Sequence, residues 1–146
     1  MAAHPTIPTA SRVAGNLWVG AAPPEGADLS RWHLTVLTAI EYQPRPDAFE
    51  AGRLLYVPLR DGGSRPTADE EALARAAGDA VAAELLRGRS VLVTCWLGRN
   101  RSALVAGLAL RRAYGLSGPD VIRLIRDARG PAALGNPHFV RVLLAG

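Results

Sequence analysis

The chain has 146 residues, of which 49% are hydrophobic, so we expect one ordinary domain with a packed core over residues 1–146. A single cysteine excludes a disulfide framework, a Cys-x-x-Cys redox pair and a multi-cysteine zinc site. The net charge is +4, but all 17 basic residues are arginine and none forms a run with interleaved aromatic residues. Nucleic-acid binding is therefore not expected, and arginine without lysine indicates a GC-rich, bacterial source.

Targeting segments and metal sites are not expected either. The longest apolar stretch, around residues 103–110, is too short to span a membrane, and residues 1–14 have neither a basic start nor an apolar signal core. These features predict a soluble, cytoplasmic monomer without membrane insertion. His4, His33 and His138 lack metal-ligand spacing, so we assign no metal and no cofactor.

The elements of the first half of the chain are mostly strands. A hairpin is expected at the turn pair Gly15-Asn16, and residues 28–33 can form a helical turn. Apolar or β-branched runs bounded by turn residues predict three strands. These strands are Leu17–Gly20, Leu34–Ile40 and Arg53–Leu59.

Helices dominate the second half, around one apolar strand at Ser90–Thr94. Cap residues, first-turn acids and helix-initial prolines predict where the helices begin. The predicted helices run from the cap Thr67 to Leu86, from Ser102 to Tyr114, from the cap Ser117 to Ala128 and from His138 to Leu144.

This alternation predicts an α/β fold, a three-layer sandwich with a mostly parallel central sheet of four to five strands flanked by helices. Sites in such folds gather beyond the carboxyl ends of the strands. Cys95 follows one predicted strand and Asp61 follows another. Both residues are therefore expected at the same edge of the sheet.

The segment after the Ser90–Thr94 strand has the composition of a phosphate-binding loop. Five residues separate Cys95 from Arg101, and a helix is predicted to begin at the end of the loop. Backbone N–H groups of such a loop, together with the helix dipole, bind a dianion and favour the thiolate form of cysteine. The predicted phosphate-binding residues are Trp96, Leu97, Gly98, Arg99, Asn100 and Arg101.

Four side chains are candidates for catalysis. Cys95 is the candidate nucleophile, and the planar fork of Arg101 suits two phosphoryl oxygens. Ser102 can hydrogen-bond the sulfur as it leaves. Asp61, on a glycine-rich loop, is the candidate general acid for the departing oxygen. Asp69, Glu70 and Glu41 could serve as the acid instead, although Asp69 and Glu70 also suit a helix N-terminus.

These residues resemble the dual-specificity branch of the protein tyrosine phosphatase superfamily, whose signature is His-Cys-x5-Arg-Ser/Thr. Cys95, Arg101 and Ser102 match that signature, and residues 16–20, 58–61 and 136–139 are similar to other family segments. The resemblance implies a metal-independent phosphatase that forms a phosphocysteine on Cys95. It also implies Asp61 as the acid and phosphate binding by residues 96–101.

Two departures from the family pattern bear on activity. Thr94 stands where the family has histidine, so we expect weaker support for the loop and a less readily ionised thiol. Residues 96–99 are bulkier and more basic than usual, which leaves the pocket width and the substrate charge open.

Three functions agree with these residues. The first is hydrolysis of phosphotyrosine, phosphoserine or phosphothreonine in proteins. The second keeps the chemistry but acts on a phosphoinositide, a sugar phosphate or an RNA 5′ end, with Arg99 as its support. The third is a non-catalytic module that binds phosphorylated proteins. An inert core role is common for a lone cysteine, but the neighbouring Gly98, Arg101 and Ser102 argue against it.

Overall fold

The computed structural model describes residues 10–42 and 53–145, which form five strands and four helices. The strands are β1 (Ser11–Ala14), β2 (Leu17–Ala21), β3 (Leu34–Ala39), β4 (Leu54–Leu59) and β5 (Val91–Cys95). The helices are α1 (Ala68–Leu86), α2 (Arg101–Tyr114), α3 (Gly118–Arg129) and α4 (Pro137–Leu144). All the predicted strands and helices are confirmed, and no end shifts by more than one residue. The helical turn expected at residues 28–33 does not form, because residues 30 and 31 lie in a turn, residues 32 and 33 lie in a bend, and residues 28 and 29 have no regular structure.

The strands form one sheet in the order β1-β2-β5-β3-β4. Only the β1–β2 pair is antiparallel, and β2, β5, β3 and β4 run parallel to one another. The predicted mostly parallel sheet is thereby confirmed. β5 lies at its centre with all five residues buried, as an uninterrupted apolar strand should. Parallel pairing brings the ends of β2, β3, β4 and β5 to one edge, beyond which the candidate site lies.

Helix α2 lies in the middle of the helical layer. Its residues 101–110 are all buried among β-strands and the other helices, and these contacts form one continuous apolar core. A Cβ on Gly107 would come within 2.7 Å of Leu143, so glycine permits a close approach of α4. On the opposite face of the sheet, Leu92 packs with Leu29 and Trp32 of the non-helical segment 22–33. Among the described helices, none is long and apolar enough to cross a membrane.

The start of α1 is tied to the end of β4. Thr67 and Glu70 form a capping box, in which each side chain accepts a hydrogen bond from the other residue's backbone N–H. Glu70 also accepts two hydrogen bonds from Arg60, at 2.9 and 3.1 Å. The hydrogen bond from Arg60 is the main reason that the pKa of Glu70 falls to about 2. Arg60 therefore anchors the loop that carries Asp61 to the helical layer.

The lowered pKa of Glu70 predicts an acid-dependent share of stability. Glu70→Gln keeps the capping hydrogen bonds but removes the charge that pairs with Arg60. Because the folded-state pKa is depressed, wild type should be more stable than the variant near neutral pH. This advantage should shrink as the pH falls from about 4.5 towards 2. Urea unfolding of both proteins over that range tests the prediction, and a difference that does not change with pH would contradict it.

Candidate active site

The candidate nucleophile Cys95 is the last residue of β5 and is only 3% exposed. The chain then turns through residues 96–100 and enters α2 at Arg101. Gly98 makes this path possible, because its φ of 69° suits glycine and a Cβ would come within 2.6 Å of the carbonyl carbon of Gly20. Asn100 is the N-cap of α2, but its side chain makes no capping hydrogen bond. The first-turn N–H groups of α2 therefore gain no acceptor from that side chain, which suits an anion site.

Ser102 lies directly against the thiol. The Oγ of Ser102 is 3.1 Å from the Sγ of Cys95, and both side chains are buried. The structure thus brings together the two residues that the sequence paired. A hydroxyl at this distance can donate a hydrogen bond to a thiolate, both before attack and when the sulfur departs.

The guanidinium of Arg101 is buried and held by the neighbouring strand ends. Nη1 and Nη2 donate to the two carboxylate oxygens of Glu41 at 2.5 and 2.7 Å, and Nη1 also donates to the Leu59 carbonyl at 3.1 Å. The Arg101 side chain is 6% exposed, against 49% for Glu41. Nε of Arg101 is buried without a hydrogen-bond partner among the described residues. Since Nε–H and an Nη2–H form the second bidentate edge of the fork, this edge suits a phosphoryl group.

Negatively charged groups around Arg101 outweigh the effect of burial on its pKa. Burial alone would lower the pKa of Arg101, but the hydrogen bond to Glu41 and the charges of Cys95, Glu41 and Asp61 raise it above its usual value. The same hydrogen bond lowers the pKa of Glu41. The sequence left Glu41 as a possible general acid, yet its carboxylate is engaged by Arg101 and remains ionised. Its geometry is that of a residue that orients the arginine.

Removing the Glu41 carboxylate should lower turnover. In Glu41→Ala the buried guanidinium loses its ionic partner and its fixed orientation, so kcat should fall by about tenfold. Glu41→Gln, which retains one acceptor oxygen, should fall less. Steady-state kinetics with an aryl phosphate measure both variants, and an unchanged kcat in Glu41→Ala would exclude an orienting role.

Asp61 lies at the loop of residues 96–101, here called the catalytic loop because it joins the candidate nucleophile to Arg101. Its Oδ2 accepts a hydrogen bond from Asn100 Nδ2 and its Oδ1 from Asn136 Nδ2, each at 2.9 Å. The sequence predicted this proximity from the positions of two strand ends. Asp69 and Glu70 both lie on α1, where Glu70 pairs with Arg60 and Asp69 belongs to the exposed first turn. Asp61 is thus the carboxylate that the fold joins to the catalytic loop without engaging an arginine side chain.

Thr94 supports the loop only through the end of its strand. The Thr94 hydroxyl donates to the Val36 carbonyl of β3 at 3.5 Å, and the Thr94 carbonyl accepts from the Thr38 hydroxyl at 2.7 Å. Both contacts tie β5 to β3 directly beneath Cys95. Thr94 therefore supports the end of strand β5. Its hydroxyl makes no hydrogen bond to the 96–101 loop. Thr38, which no sequence motif singled out, makes the shorter of the two contacts.

The other side chains of the loop form its outer surface. Trp96 and Leu97 are 51% and 52% exposed, and Arg99 is also exposed. Trp96 packs edge-on against Tyr42, with ring centroids 5.4 Å apart. Because these side chains are exposed, the part of these residues that is available to a phosphate in the loop is the backbone.

The two histidines among the described residues make contacts with groups other than the thiol. His33 contacts Glu84, and His138 lies near the Gly63 carbonyl at 3.2 Å. His4 is outside the described residues. Within residues 10–42 and 53–145, no three His, Cys, Asp or Glu side chains are grouped as metal ligands.

Arg129, at the end of α3, braces the catalytic loop, although no sequence motif points to it. Its Nε donates to the Gly98 carbonyl and its Nη2 to the Leu97 carbonyl, both at 3.0 Å. Burial is the main cause of a lowered Arg129 pKa, which the charge of Cys95 partly offsets. Pointing two loop carbonyls at Arg129 leaves the loop amides free to face the other way. Only proximity in the fold reveals this role, because Arg129 lies 30 positions beyond Arg99 in the chain.

Arg129→Met should weaken the loop without removing any proposed catalytic group. We expect kcat/KM to fall by about tenfold, since two charged hydrogen bonds to the loop are lost. Arg53→Met is a matched control, because Arg53 also donates to backbone carbonyls, those of His33 and Trp32, at the opposite end of the sheet. Equal losses in both variants would indicate general destabilisation in place of a loop-specific effect.

Comparisons with known proteins show similarity in sequence and in fold over almost the whole chain. The chain is 36% identical to human dual specificity phosphatase 28 over 141 residues, which cover 94% of this chain and 77% of that protein. The crystal structure of human DUSP28 superposes with a TM-score of 0.76 at 34% identity, covering 97% of this chain and 94% of that one. A mouse putative dual specificity phosphatase complexed with zinc tungstate gives a TM-score of 0.78 at 30% identity, with 98% and 89% covered. No family model matches the chain.

Proposed function

Because the chain belongs to the dual-specificity phosphatases of the cysteine-based protein tyrosine phosphatase superfamily, we propose that it hydrolyses phosphate monoesters of proteins with Cys95 as nucleophile. Phosphotyrosine, phosphoserine and phosphothreonine are the proposed substrate groups. A phosphocysteine intermediate is typical of the family. The bacterial source, cytoplasmic location and monomeric state expected from the sequence stay predictions.

The Nε of Arg101, which has no hydrogen-bond partner among the described residues, carries this proposal. A buried N–H donor without a partner is unfavourable, and a phosphoryl oxygen would satisfy it. Residues 96–101 would supply backbone N–H groups to the same phosphate, and the start of α2 would add its dipole. Each of these donors gains strength as charge develops on the phosphoryl oxygens.

The proposed reaction has two steps. In the first, the Cys95 thiolate forms a bond to phosphorus while the bond to the ester oxygen breaks, and Asp61 donates a proton to that oxygen. In the second, Asp61 accepts a proton from water, whose oxygen attacks phosphorus as the S–P bond breaks. The electron pair returns to Cys95, and the 3.1 Å contact with Ser102 supports stabilisation of the departing thiolate. Inorganic phosphate and the dephosphorylated protein are the products.

Hydrolysis of para-nitrophenyl phosphate without added metal tests the proposal. Cys95→Ser and Arg101→Ala should each abolish turnover, since the first removes the nucleophile and the second removes the phosphate clamp. Asp61→Asn should lower turnover partially here and by about 100-fold or more on substrates with a poor leaving group. Tyrosine- and serine-phosphorylated peptides then separate the substrate classes.

Vanadate binding provides the matching control. Wild type and Cys95→Ser should both retain a folded loop, which thermal unfolding checks. Turnover that survives Cys95→Ser would contradict the phosphocysteine mechanism. If wild type binds vanadate or phosphate but turns over no substrate, the result would favour a non-catalytic phosphate-binding module.

A further inference from the structure

Two asparagine side chains grip the carboxylate of Asp61, one on each oxygen. They are also joined to each other, because the backbone N–H of Asn136 donates to Asn100 Oδ1 at 3.1 Å. We propose that Asn100 and Asn136, here called the amide clamp, are positioning residues that hold Asp61 for proton transfer. This inference rests on the proposed function, in which Asp61 is the general acid.

The orientation of each amide is determined by its own contacts. Asn136 Oδ1 accepts from the backbone N–H of His138 at 3.0 Å, which caps α4. Asn100 Oδ1 accepts from the backbone N–H of Asn136. Flipping either amide would place an oxygen against the carboxylate and an NH2 against a backbone N–H. The NH2 groups therefore face Asp61, and the clamp has one arrangement.

Packing alone would not hold Asp61 in place. The residue is exposed, and a Cβ added to Gly62 or Gly63 would meet nothing within 4 Å. The acid loop is instead tied by polar contacts. Arg60 binds Glu70, Asn136 donates to the Gly62 carbonyl at 3.5 Å, and the clamp holds the carboxylate itself. One donor on each oxygen fixes the plane of the carboxylate and leaves a lone pair on each oxygen to carry the proton.

Helix capping does not account for the clamp. The N-cap contact of Asn136 uses only Oδ1, so a serine would serve that purpose. Asn100 occupies an N-cap position but makes no side-chain capping bond. What both residues contribute beyond the backbone contacts is an NH2 directed at Asp61. Asn136 is only 7% exposed, so its side chain has little freedom to leave that position.

Asn136→Ser and Asn100→Ser test the proposal, because serine keeps an oxygen but lacks the NH2. The measurement is kcat/KM for aryl phosphates whose leaving groups differ in acidity. A nitrophenolate departs without a proton, so hydrolysis of para-nitrophenyl phosphate by Asn136→Ser should be affected little. Phenyl phosphate needs the proton, and its kcat/KM should fall by about tenfold in each variant. Inhibition of Asn136→Ser by vanadate should remain unchanged, since Asn136 lies outside residues 96–101. Asn100 belongs to those residues, so for Asn100→Ser the measurement is the ratio of the two kcat/KM values.

A double-mutant cycle separates positioning from general stability. In an Asp61→Asn background, Asn136→Ser should cause no further loss, because it acts through Asp61. Asn16→Ser is a matched control that removes an amide contact to the Gly88 carbonyl far from the site. Equal losses on both substrates, or an additive loss in the double mutant, would overturn the proposal. If Asn136→Ser unfolds, Asn100→Ser carries the same test.

Failure of the proposed function has a different signature. If Asp61→Asn by itself leaves the leaving-group dependence unchanged, Asp61 is not the acid and the clamp has no catalytic role. If Asp61→Asn steepens that dependence and neither clamp variant does, the acid assignment stands and only the positioning role is excluded.

Discussion

The buried guanidinium of Arg101 ties together the strand ends at the edge of the sheet where Cys95 lies. Arg101 begins α2, and its side chain reaches Glu41 after β3 and the Leu59 carbonyl at the end of β4. Taking an unpaired charge out of water costs several kcal/mol, so a buried arginine requires fixed partners. The strand ends that supply those partners are thereby held in register with the helix. The loop from Cys95 to Arg101 spans the gap between them, and its shape depends on this anchor.

Arginine and carboxylate side chains both lie near the thiol, and they differ in the partners that hold them. Arg101 keeps an Nε that is unpaired among the described residues, whereas Arg129 donates to two carbonyls of the loop. Glu41 and Asp61 supply the compensating carboxylates, but only Glu41 pairs with Arg101. Asp61 is bound by neutral amides, which orient a carboxylate without supplying a positive charge. The two acids therefore have different environments, because one carboxylate is paired with an arginine and the other is held by amides.

Local sequence signals predicted every strand and helix that the structure describes. The buried strand before Cys95, the caps Thr67 and Ser117, and the Asn136-Pro137 pair are encoded within a few residues, so their positions follow from short-range physics. The five-residue spacing from Cys95 to Arg101 similarly predicted the loop. The contacts of Thr94, by contrast, do not follow from its neighbours in sequence. Its side chain and that of Cys95 point to opposite faces of the sheet, as successive residues of a strand do, and its hydroxyl donates to a carbonyl of the neighbouring strand β3.

By itself, the sequence determined the set of candidate catalytic groups: a thiol, a guanidinium and a hydroxyl within eight consecutive positions, with an aspartate on a glycine-rich loop. Only the tertiary structure decided what holds them. Glu41, Arg129 and Asn136 act on the site from distant parts of the chain, and nothing in their local sequence distinguishes an orienting side chain from a surface charge or a helix cap. Their roles arise where parallel strands end together and α2 meets them, because long-range packing alone places such groups within hydrogen-bonding distance.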